Sequence, residues 1–141
     1  MVFDPRVTIV ERFFDEAFVH FRGDEMQYLV TRDFRCHAWG ALGFPDGARG
    51  ACQFIAWLGS AFSDSKTRID EIFAAGDRVV VRYTFDALHT GEILGVPASG
   101  KRARATGIFI ARMEGSRIAE LWREEDQVSL LRQIGALDAA A

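Results

Sequence analysis

Residues 77–88, DRVVVRYTFDAL, decide the fold, because apolar and polar residues alternate along them. This period of two is typical of a strand with one buried face. The same alternation recurs in segments 65–75 (SKTRIDEIFAA), 102–113 (RARATGIFIARM) and 116–125 (SRIAELWREE). Breaks fall at Gly76-Asp77, within 89–101, and at Glu114-Gly115, which we predict to be a two-residue hairpin turn. The pattern therefore predicts consecutive antiparallel strands.

Helical spacing precedes and follows these strands. Asp4-Pro5 predicts a helix start, with Asp as N-cap and Pro at the first position, and an apolar stripe continues to Phe21. We predict an early strand over 30–39 and a second helix over 51–62. Asp126 is predicted to cap a last, short helix. This order predicts an α+β class in which N-terminal helices pack on one face of a strongly curved, mainly antiparallel sheet, as a single domain over 1–141.

Composition excludes several classes of protein. The chain has 141 residues, 49% of them apolar and 26% charged, which is ordinary for a globular domain. A net charge of −3 predicts no attraction to nucleic acid or to an anionic membrane. The N-terminus has no signal-peptide pattern and no apolar run reaches membrane-spanning length, so we expect a cytoplasmic protein. Cys36 and Cys52 fit no metal or disulfide spacing and are expected to be free thiols.

The glycine-rich stretch 89–107, HTGEILGVPASGKRARATG, invites a phosphate-loop interpretation. Arg102 follows Lys101 where a phosphate loop needs a hydroxyl, and the stretch does not lead from a strand into a helix. Three basic residues in an acidic chain give poor support for nucleic-acid binding. We therefore interpret the stretch as a long hairpin connection.

A wider pattern includes this stretch and continues to the end of the last helix. Its segments are HTGE (89–92), GVPASGK (95–101), GIFIAR (107–112), EGSRIAELW (114–122), Asp126 and LRQIG (131–135). The pattern resembles the SnoaL-like polyketide cyclase family of the nuclear-transport-factor-2-like superfamily. The resemblance implies a cone-shaped barrel with a hydrophobic substrate pocket. It also implies acid–base catalysis of an aldol cyclisation or isomerisation without a metal or organic cofactor.

This chain departs from the acid–base pair that the resemblance implies, an aspartate on the last strand and a histidine on the preceding one. Strand 104–112 has no histidine, and Trp122 and Arg123 stand where the aspartate is expected. A different catalytic arrangement, or a non-catalytic binding module on the same fold, therefore stays open. Epoxide-hydrolase chemistry would need an Asp-Arg-Asp set, of which only Arg82 and Asp86 share a strand face.

Three residues are candidates for catalysis. Pairing about Glu114-Gly115 places Glu120 opposite Phe109, and among rings its carboxyl pKa would rise; an ion pair with an arginine such as Arg82 on a neighbouring strand is the alternative. His89 is placed to move a proton or donate to a carbonyl, or else to hold the loop backbone. Asp126 matches the family pattern, and its alternative role is the helix cap.

The abundance of rings favours a flat apolar or aromatic ligand. We predict that its contacts are His37, Trp39, Trp57, Tyr83, Phe109 and Trp122. The three histidines lie on separate elements, which argues against a metal site. The resemblance further implies a homodimer through the outer sheet face, where we expect Val80, Ile108, Ile110 and Leu121 to supply apolar surface.

Overall fold

The computed structural model describes residues 3–38 and 42–137 and shows helices packed on a strongly curled half-barrel sheet. The helices are α1 (Pro5–Phe14), α2 (Met26–Leu29), α3 (Ala48–Ala61) and α4 (Gln127–Gln133). The strands are β1 (Val30–Cys36), β2 (Phe62–Ser63), β3 (Arg68–Ala75), β4 (Arg78–His89), β5 (Arg102–Glu114) and β6 (Arg117–Glu125). The predicted α+β cone, with its short C-terminal helix, is confirmed.

The sheet runs in the order β1-β6-β5-β4-β2, and β3 also pairs with β4. All pairs are antiparallel except β1 with β6, which is parallel. The long strands β4 and β5 pair along eleven consecutive positions, from Arg78↔Arg112 to Leu88↔Arg102. The sheet is therefore mixed, although mainly antiparallel as predicted.

Aromatic rings from α1 and the π-helical turn after it (Asp15–Val19) fill the concave face of the sheet. The ring of Phe13 meets Phe109 edge-on at 6.2 Å, and Phe18 stacks on Tyr83 with an interplanar angle of 6°. Asp4 caps α1 as predicted, since its carboxylate accepts the Arg6 N–H at 3.0 Å. These contacts leave the open end of the cone, beneath α3 and α4, as the place for a cavity.

The last hairpin differs from the prediction in its register. The turn lies at Gly115-Ser116 instead of Glu114-Gly115, so that Glu114 pairs with Arg117. The ladder then shifts by one residue between Met113↔Ile118 and Arg112↔Glu120, which leaves Ala119 as an extra residue in a β-bulge. The predicted pairing of Phe109 with Glu120 is therefore wrong: Phe109 faces Arg123.

The same shift corrects the predicted outer surface. Leu121 is buried on the concave face, 1% exposed, and does not belong to the outer face. Ile108 is 48% exposed there, and Val80 and Ile110 are partly exposed beside it. None of the helices in the described part of the chain is long and apolar enough to cross a membrane.

Candidate functional site

A mainly apolar cavity lies at the open end of the cone. Its walls come from α3 (Phe54, Trp57, Leu58), from the sheet (Phe62, Phe85), from the 90–101 loop and from α4. The space between these side chains is about 660 Å³ when its solvent-open mouth is included. Arg123 and Glu125, which project from β6, bring charge to this apolar wall.

Arg123, Glu125 and Tyr83 form one hydrogen-bonded group. Arg123 Nη2 donates to Glu125 Oε2 at 2.8 Å, and Arg123 Nε donates to the Tyr83 hydroxyl at 2.9 Å. The Tyr83 hydroxyl donates in turn to Glu125 Oε2 at 2.7 Å. The side chains of Arg123 and Glu125 are only 7% and 3% exposed. A buried ion pair of this kind is stable only when each charge is paired and hydrogen-bonded, as it is here.

The protonation states of the group follow from burial and charge. Burial raises the pKa of the Tyr83 phenol far above its usual value, so the phenol keeps its proton and acts as a donor to Glu125. Burial lowers the pKa of Arg123, but the charges and hydrogen bonds of Glu125 and Tyr83 together more than offset this, and the net pKa is raised. The guanidinium also lies over the rings of Phe18, at 5.4 Å, and Phe54, at 5.8 Å. Arg123 is thus a permanent cation in an apolar site.

Gly107 makes room for this group. It pairs with Tyr83 on one side and with Glu125 on the other. A Cβ atom at position 107 would lie 2.5 Å from the Tyr83 hydroxyl oxygen and 2.6 Å from Cζ of the same ring. The phenol therefore crosses β5 at the one point where the strand has no side chain.

Two atoms of the group are left for a ligand. Among residues 3–38 and 42–137, no side chain or backbone N–H donates to Glu125 Oε1, and Arg123 Nη1 donates to no acceptor. A carboxylate oxygen can accept a proton, and a guanidinium N–H can stabilise a developing oxyanion. Two hydrogen-bonded side chains that line the apolar cavity are therefore able to supply a base and an oxyanion donor.

Glu120 occupies a different place from the one predicted. It lies on the outer face, where its carboxylate accepts hydrogen bonds from His37 Nε2 at 2.6 Å and Arg112 Nε at 3.0 Å. These bonds lower the pKa of Glu120, His37 contributing most, whereas we predicted a raised value. The bulge at Ala119 is the reason, because it turns Glu120 away from Phe109. The prediction that Glu120 lies among the cavity rings is therefore wrong. Glu120 forms the ion pair that was the alternative, and its partner is Arg112.

The other two catalytic candidates both have structural contacts. Asp126 caps α4 by accepting the Ser129 N–H at 3.1 Å, and it lies at the surface. His89 is completely buried at the end of β4, and its Nδ1 contacts both the Ser99 N–H and the Ser99 hydroxyl. A catalytic role for either residue stays a prediction.

The predicted ligand contacts separate into three groups. Trp57 lines the cavity, whereas Phe109 and Tyr83 are buried in the core beside it. Trp122 lies on the outer face, stacked on the His37 ring at 5.1 Å, because it shares the parity of Glu120. The expectation that Trp122 lines the cavity is therefore wrong. Trp39 lies outside the described residues.

His37 does not line the cavity but lines a polar groove beside the mouth of the cavity. Arg123, Glu125 and Gln127 line both the groove and the cavity, and His37 and Glu124 line the groove alone. No three side chains of His, Cys, Asp or Glu come together as metal ligands would in the described part of the chain.

Sequence reasoning missed Arg123 and Glu125 as site residues. The predicted register put Glu120 and Trp122 on the cavity face, and strand parity then leaves Arg123 and Glu125 on the outer face. One signal was present: counting by twos from the apolar Leu121 places Arg123 and Glu125 on the same side as Leu121. The buried position of Leu121 then puts both charges inside the cone.

Comparisons with known proteins agree with this architecture. The family model of the SnoaL-like polyketide cyclases matches residues 8–134. Among solved structures, TsrD from Streptomyces laurentii is 28% identical, with a TM-score of 0.84 over 97% of this chain and 100% of that one. A protein from Acidithiobacillus ferrooxidans is 22% identical, with a TM-score of 0.79 over 95% of this chain and 96% of that one.

A third structure has a ketosteroid isomerase-like fold. It is a protein from Catenulispora acidiphila in complex with trimethylamine, 17% identical, with a TM-score of 0.73 over 92% of this chain and 93% of that one. At these identities the second and third structures establish the fold alone. A search of curated protein sequences found no match.

Proposed function

This chain belongs to the SnoaL-like polyketide cyclase family, and we propose that it is a cofactor-independent enzyme acting by proton transfer on a small, apolar, carbonyl-bearing substrate. The reaction class is an aldol cyclisation or an isomerisation. One observation carries the proposal: the buried, paired side chains of Glu125 and Arg123 line an apolar cavity, and among the described residues Oε1 and Nη1 have no hydrogen-bond partner. The proposed catalytic residues are Glu125 and Arg123, with Tyr83 positioning both.

The proposed reaction begins with the substrate carbonyl at Arg123. The carbonyl oxygen accepts a hydrogen bond from Arg123 Nη1, which acidifies the carbon–hydrogen bonds next to the carbonyl. Glu125 Oε1 removes one of these protons, and Arg123 stabilises the enolate oxygen that forms. The positive charge of Arg123 is permanent, so no proton needs to move to create the oxyanion donor.

The second step separates the two reaction classes. In an aldol cyclisation, the enolate carbon attacks a second carbonyl of the same molecule, and the resulting alkoxide takes back the proton from Glu125. In an isomerisation, Glu125 returns the proton to a different carbon of the enolate system. Either reaction is balanced without an added oxidant or reductant. The apolar walls exclude water and so strengthen the electrostatic effect of Arg123.

Tyr83 has a positioning role in this proposal. Its hydroxyl accepts from Arg123 and donates to Glu125, so it fixes the distance between the two groups. Both bonds involve Glu125 Oε2 or Arg123 Nε, and they leave Oε1 and Nη1 for the substrate. Correct placement of reacting groups supplies a large part of many enzymatic rate enhancements.

Hydrogen–deuterium exchange tests the proposal without knowledge of the natural substrate. The probe is 2-acetylnaphthalene in D₂O, and the rate of deuterium incorporation at its methyl group is followed by NMR. We expect the protein to accelerate exchange and Glu125→Gln to reduce the acceleration by about 100-fold or more. The matched control is Glu124→Gln, since Glu124 is the exposed neighbour on the other strand face. An unchanged rate with Glu125→Gln would contradict the proposal.

A non-catalytic binding module is the second candidate. The observation that favours it is the tight ion pair, because Arg123 and Tyr83 already stabilise the negative charge of Glu125 in the absence of a ligand. Binding of 2-acetylnaphthalene without accelerated exchange would support this candidate. With either function, we propose that copies pair through the outer sheet face, where Ile108 is the most exposed apolar side chain of β5.

A further inference from the structure

The side chain of His89 is a buried polar group that the proposed mechanism does not use. Its exposed fraction is 0%, and it ends β4 at the start of the 90–101 loop. The backbone of His89 is tied to that loop by two bonds, from His89 N–H to Lys101 O and from Gly100 N–H to His89 O. The ring is therefore held in a fixed place.

The hydrogen-bond partners of the ring decide its tautomer. The Ser99 backbone N–H, which can only donate, points to His89 Nδ1 at 3.1 Å. Nδ1 must accept this bond, so in the neutral ring the proton lies on Nε2. The imidazole is thus an Nε2–H donor with its orientation set by the loop.

No residue in the described part of the chain accepts a hydrogen bond from this donor. His89 Nε2 is a fully buried polar atom without a partner there. Buried donors in native proteins almost always have an acceptor, because an unsatisfied one is costly. The geometry therefore points to an acceptor other than the described residues.

The surroundings of His89 belong to the cavity. Strand parity puts His89 on the same buried face as Tyr83 and Phe85, and Phe85 lines the cavity. The His89 ring lies 5.7 Å from the ring of Phe62, which lines it as well. Leading away from His89, the loop adds a further lining residue, Ile93. His89 thus lies next to residues of the cavity wall, at the end of β4 away from Tyr83.

We propose that His89 is a second polar contact for the cavity's ligand, and that its Nε2–H donates to a carbonyl oxygen at the far end of that ligand. This inference rests on the proposed function for the first contact, at Arg123. It narrows the substrate class to elongated apolar molecules with an oxygen at each end. Six residues of strand separate Tyr83 from His89, a distance of roughly 20 Å. The side chains at both ends take up part of this distance and leave a space on the order of 10 Å for the ligand, which is the length of a substituted two-ring system.

A pair of ligands isolates the second contact. The probes are 2,6-diacetylnaphthalene, which has a carbonyl at both ends, and 2-acetylnaphthalene, which has one. We expect the wild-type protein to bind the diketone about tenfold more tightly, the effect of one added buried hydrogen bond. We also expect the NMR signal of His89 Hε2 to move downfield with the diketone and to stay in place with the monoketone.

A pair of variants separates ligand binding from loop support. His89→Asn keeps an acceptor near the position of Nδ1, for Ser99, and removes the inner donor. His89→Gln keeps a donor near the position of Nε2 and loses the acceptor for Ser99. We expect His89→Asn to reduce the preference for the diketone to about twofold, the statistical advantage of two equivalent ends, and His89→Gln to retain most of it.

The results that overturn the inference are distinct from those that overturn the proposed function. An unchanged preference in His89→Asn, or failure of the diketone to bind the wild-type protein more tightly, overturns the inference. Neither result depends on proton exchange at Glu125, which tests the proposed function separately. If His89→Asn does not fold, the movement of the Hε2 signal in the wild-type protein still decides, and a signal that stays in place with the diketone overturns the inference.

Discussion

Gly107→Ala tests whether the empty space at position 107 holds the hydrogen-bonded group of Tyr83, Arg123 and Glu125 in place. The added Cβ would lie 2.5 Å from the Tyr83 hydroxyl oxygen, 2.6 Å from Tyr83 Cζ and 2.9 Å from the backbone oxygen of Glu124. Ordinary contact distances begin near 3.5 Å, so the phenol has to move by about 1 Å. Its bonds of 2.7 Å to Glu125 and 2.9 Å to Arg123 would then exceed hydrogen-bonding range.

The expected loss of stability combines three contributions. Overpacking of a core costs about 1–3 kcal/mol, and loss of a hydrogen bond to a charged group costs about 1.5–3 kcal/mol. Alanine has a lower entropy cost than glycine inside a strand, which returns about 0.5–1 kcal/mol. Since the contributions are partly alternatives, we expect a net destabilisation of about 2–4 kcal/mol. Displacement of Glu125 and Arg123 should also lower the rate of deuterium exchange, by up to about 100-fold.

Urea unfolding followed by circular dichroism measures the stability, and a double-mutant cycle assigns the cause. In a Tyr83→Leu background the phenol is absent, and Gly107→Ala should cost less than about 1 kcal/mol, the remainder arising from the Glu124 oxygen. Thr106→Ala, at the exposed neighbouring position, serves as the control and should stay within about 0.5 kcal/mol of wild type. Equal costs of Gly107→Ala in both backgrounds would refute the reasoning, because the clash would then lie with the backbone alone.

Three further predictions concern other parts of the molecule. Burial raises the pKa of the Asp86 carboxyl. Arg102, bonded at 2.7 Å, and Arg104, bonded at 3.0 Å, together lower that pKa by more than burial raises it, so the net pKa lies below its ordinary value of about 3.9. Its stabilising contribution is therefore present above that value and is lost as pH falls below it; Asp86→Asn should flatten this acid limb of the unfolding free energy, and an unchanged limb would contradict the assignment. Asp126→Ala removes the cap of α4 and should cost about 0.5–2 kcal/mol in urea unfolding, whereas Asp126→Asn should cost less; equal costs would argue against the cap. If copies pair through the outer face, Ile108→Lys should convert a dimer to a monomer in light scattering, and a wild-type monomer at micromolar concentration would contradict the pairing.

Local patterns were enough to predict most of the fold. The helix start at Asp4-Pro5 and the cap at Asp126 depend on neighbouring residues only, and both are confirmed by side-chain bonds to the backbone. The alternation in 77–88 likewise predicts β4, because on a half-buried strand apolar residues point to the core and polar residues point to solvent. The closing of the cone and the parallel pairing of β1 with β6 involve residues more than 80 positions apart, which no local pattern contains.

The loop stretch 89–107 shows how a motif can be recognised without its physical role. Its glycines and Pro97 predicted a hairpin connection, and Gly91 illustrates the reason: a Cβ there would overlap the backbone oxygen of Ser60, at the end of α3. The N–H groups of Thr90 and Gly91 both donate to Ala61 O at 3.0 Å. The stretch therefore ties β4 to α3, and in doing so it fixes the position of His89 beside the cavity.

The identity of the charged residues inside the cone depends on one extra residue in β6. A regular ladder continued from Glu114↔Arg117 would put Glu120 opposite Ala111, on the buried face. Insertion of Ala119 moves Glu120 opposite Arg112 and brings Arg123 opposite Phe109, because a slip of one residue moves every later side chain to the other face. The burial pattern of β6 shows this bulge at Ile118 and Ala119, because both are buried although neighbouring residues of a regular strand point to opposite faces.

It follows that a motif match in β6 does not determine which carboxylate meets the substrate. Glu120 belongs to the recognised pattern but lies outside the cone, whereas Glu125 is not one of the residues of that pattern and lies inside the cone. Two charged side chains on a buried strand face violate the polar-outside rule, and such violations are expected where a protein accepts a cost in stability for a function. The bulge, the absent side chain at Gly107 and the bonds among Tyr83, Arg123 and Glu125 are thus parts of one arrangement, in which each is needed to keep a paired charge at an apolar cavity wall.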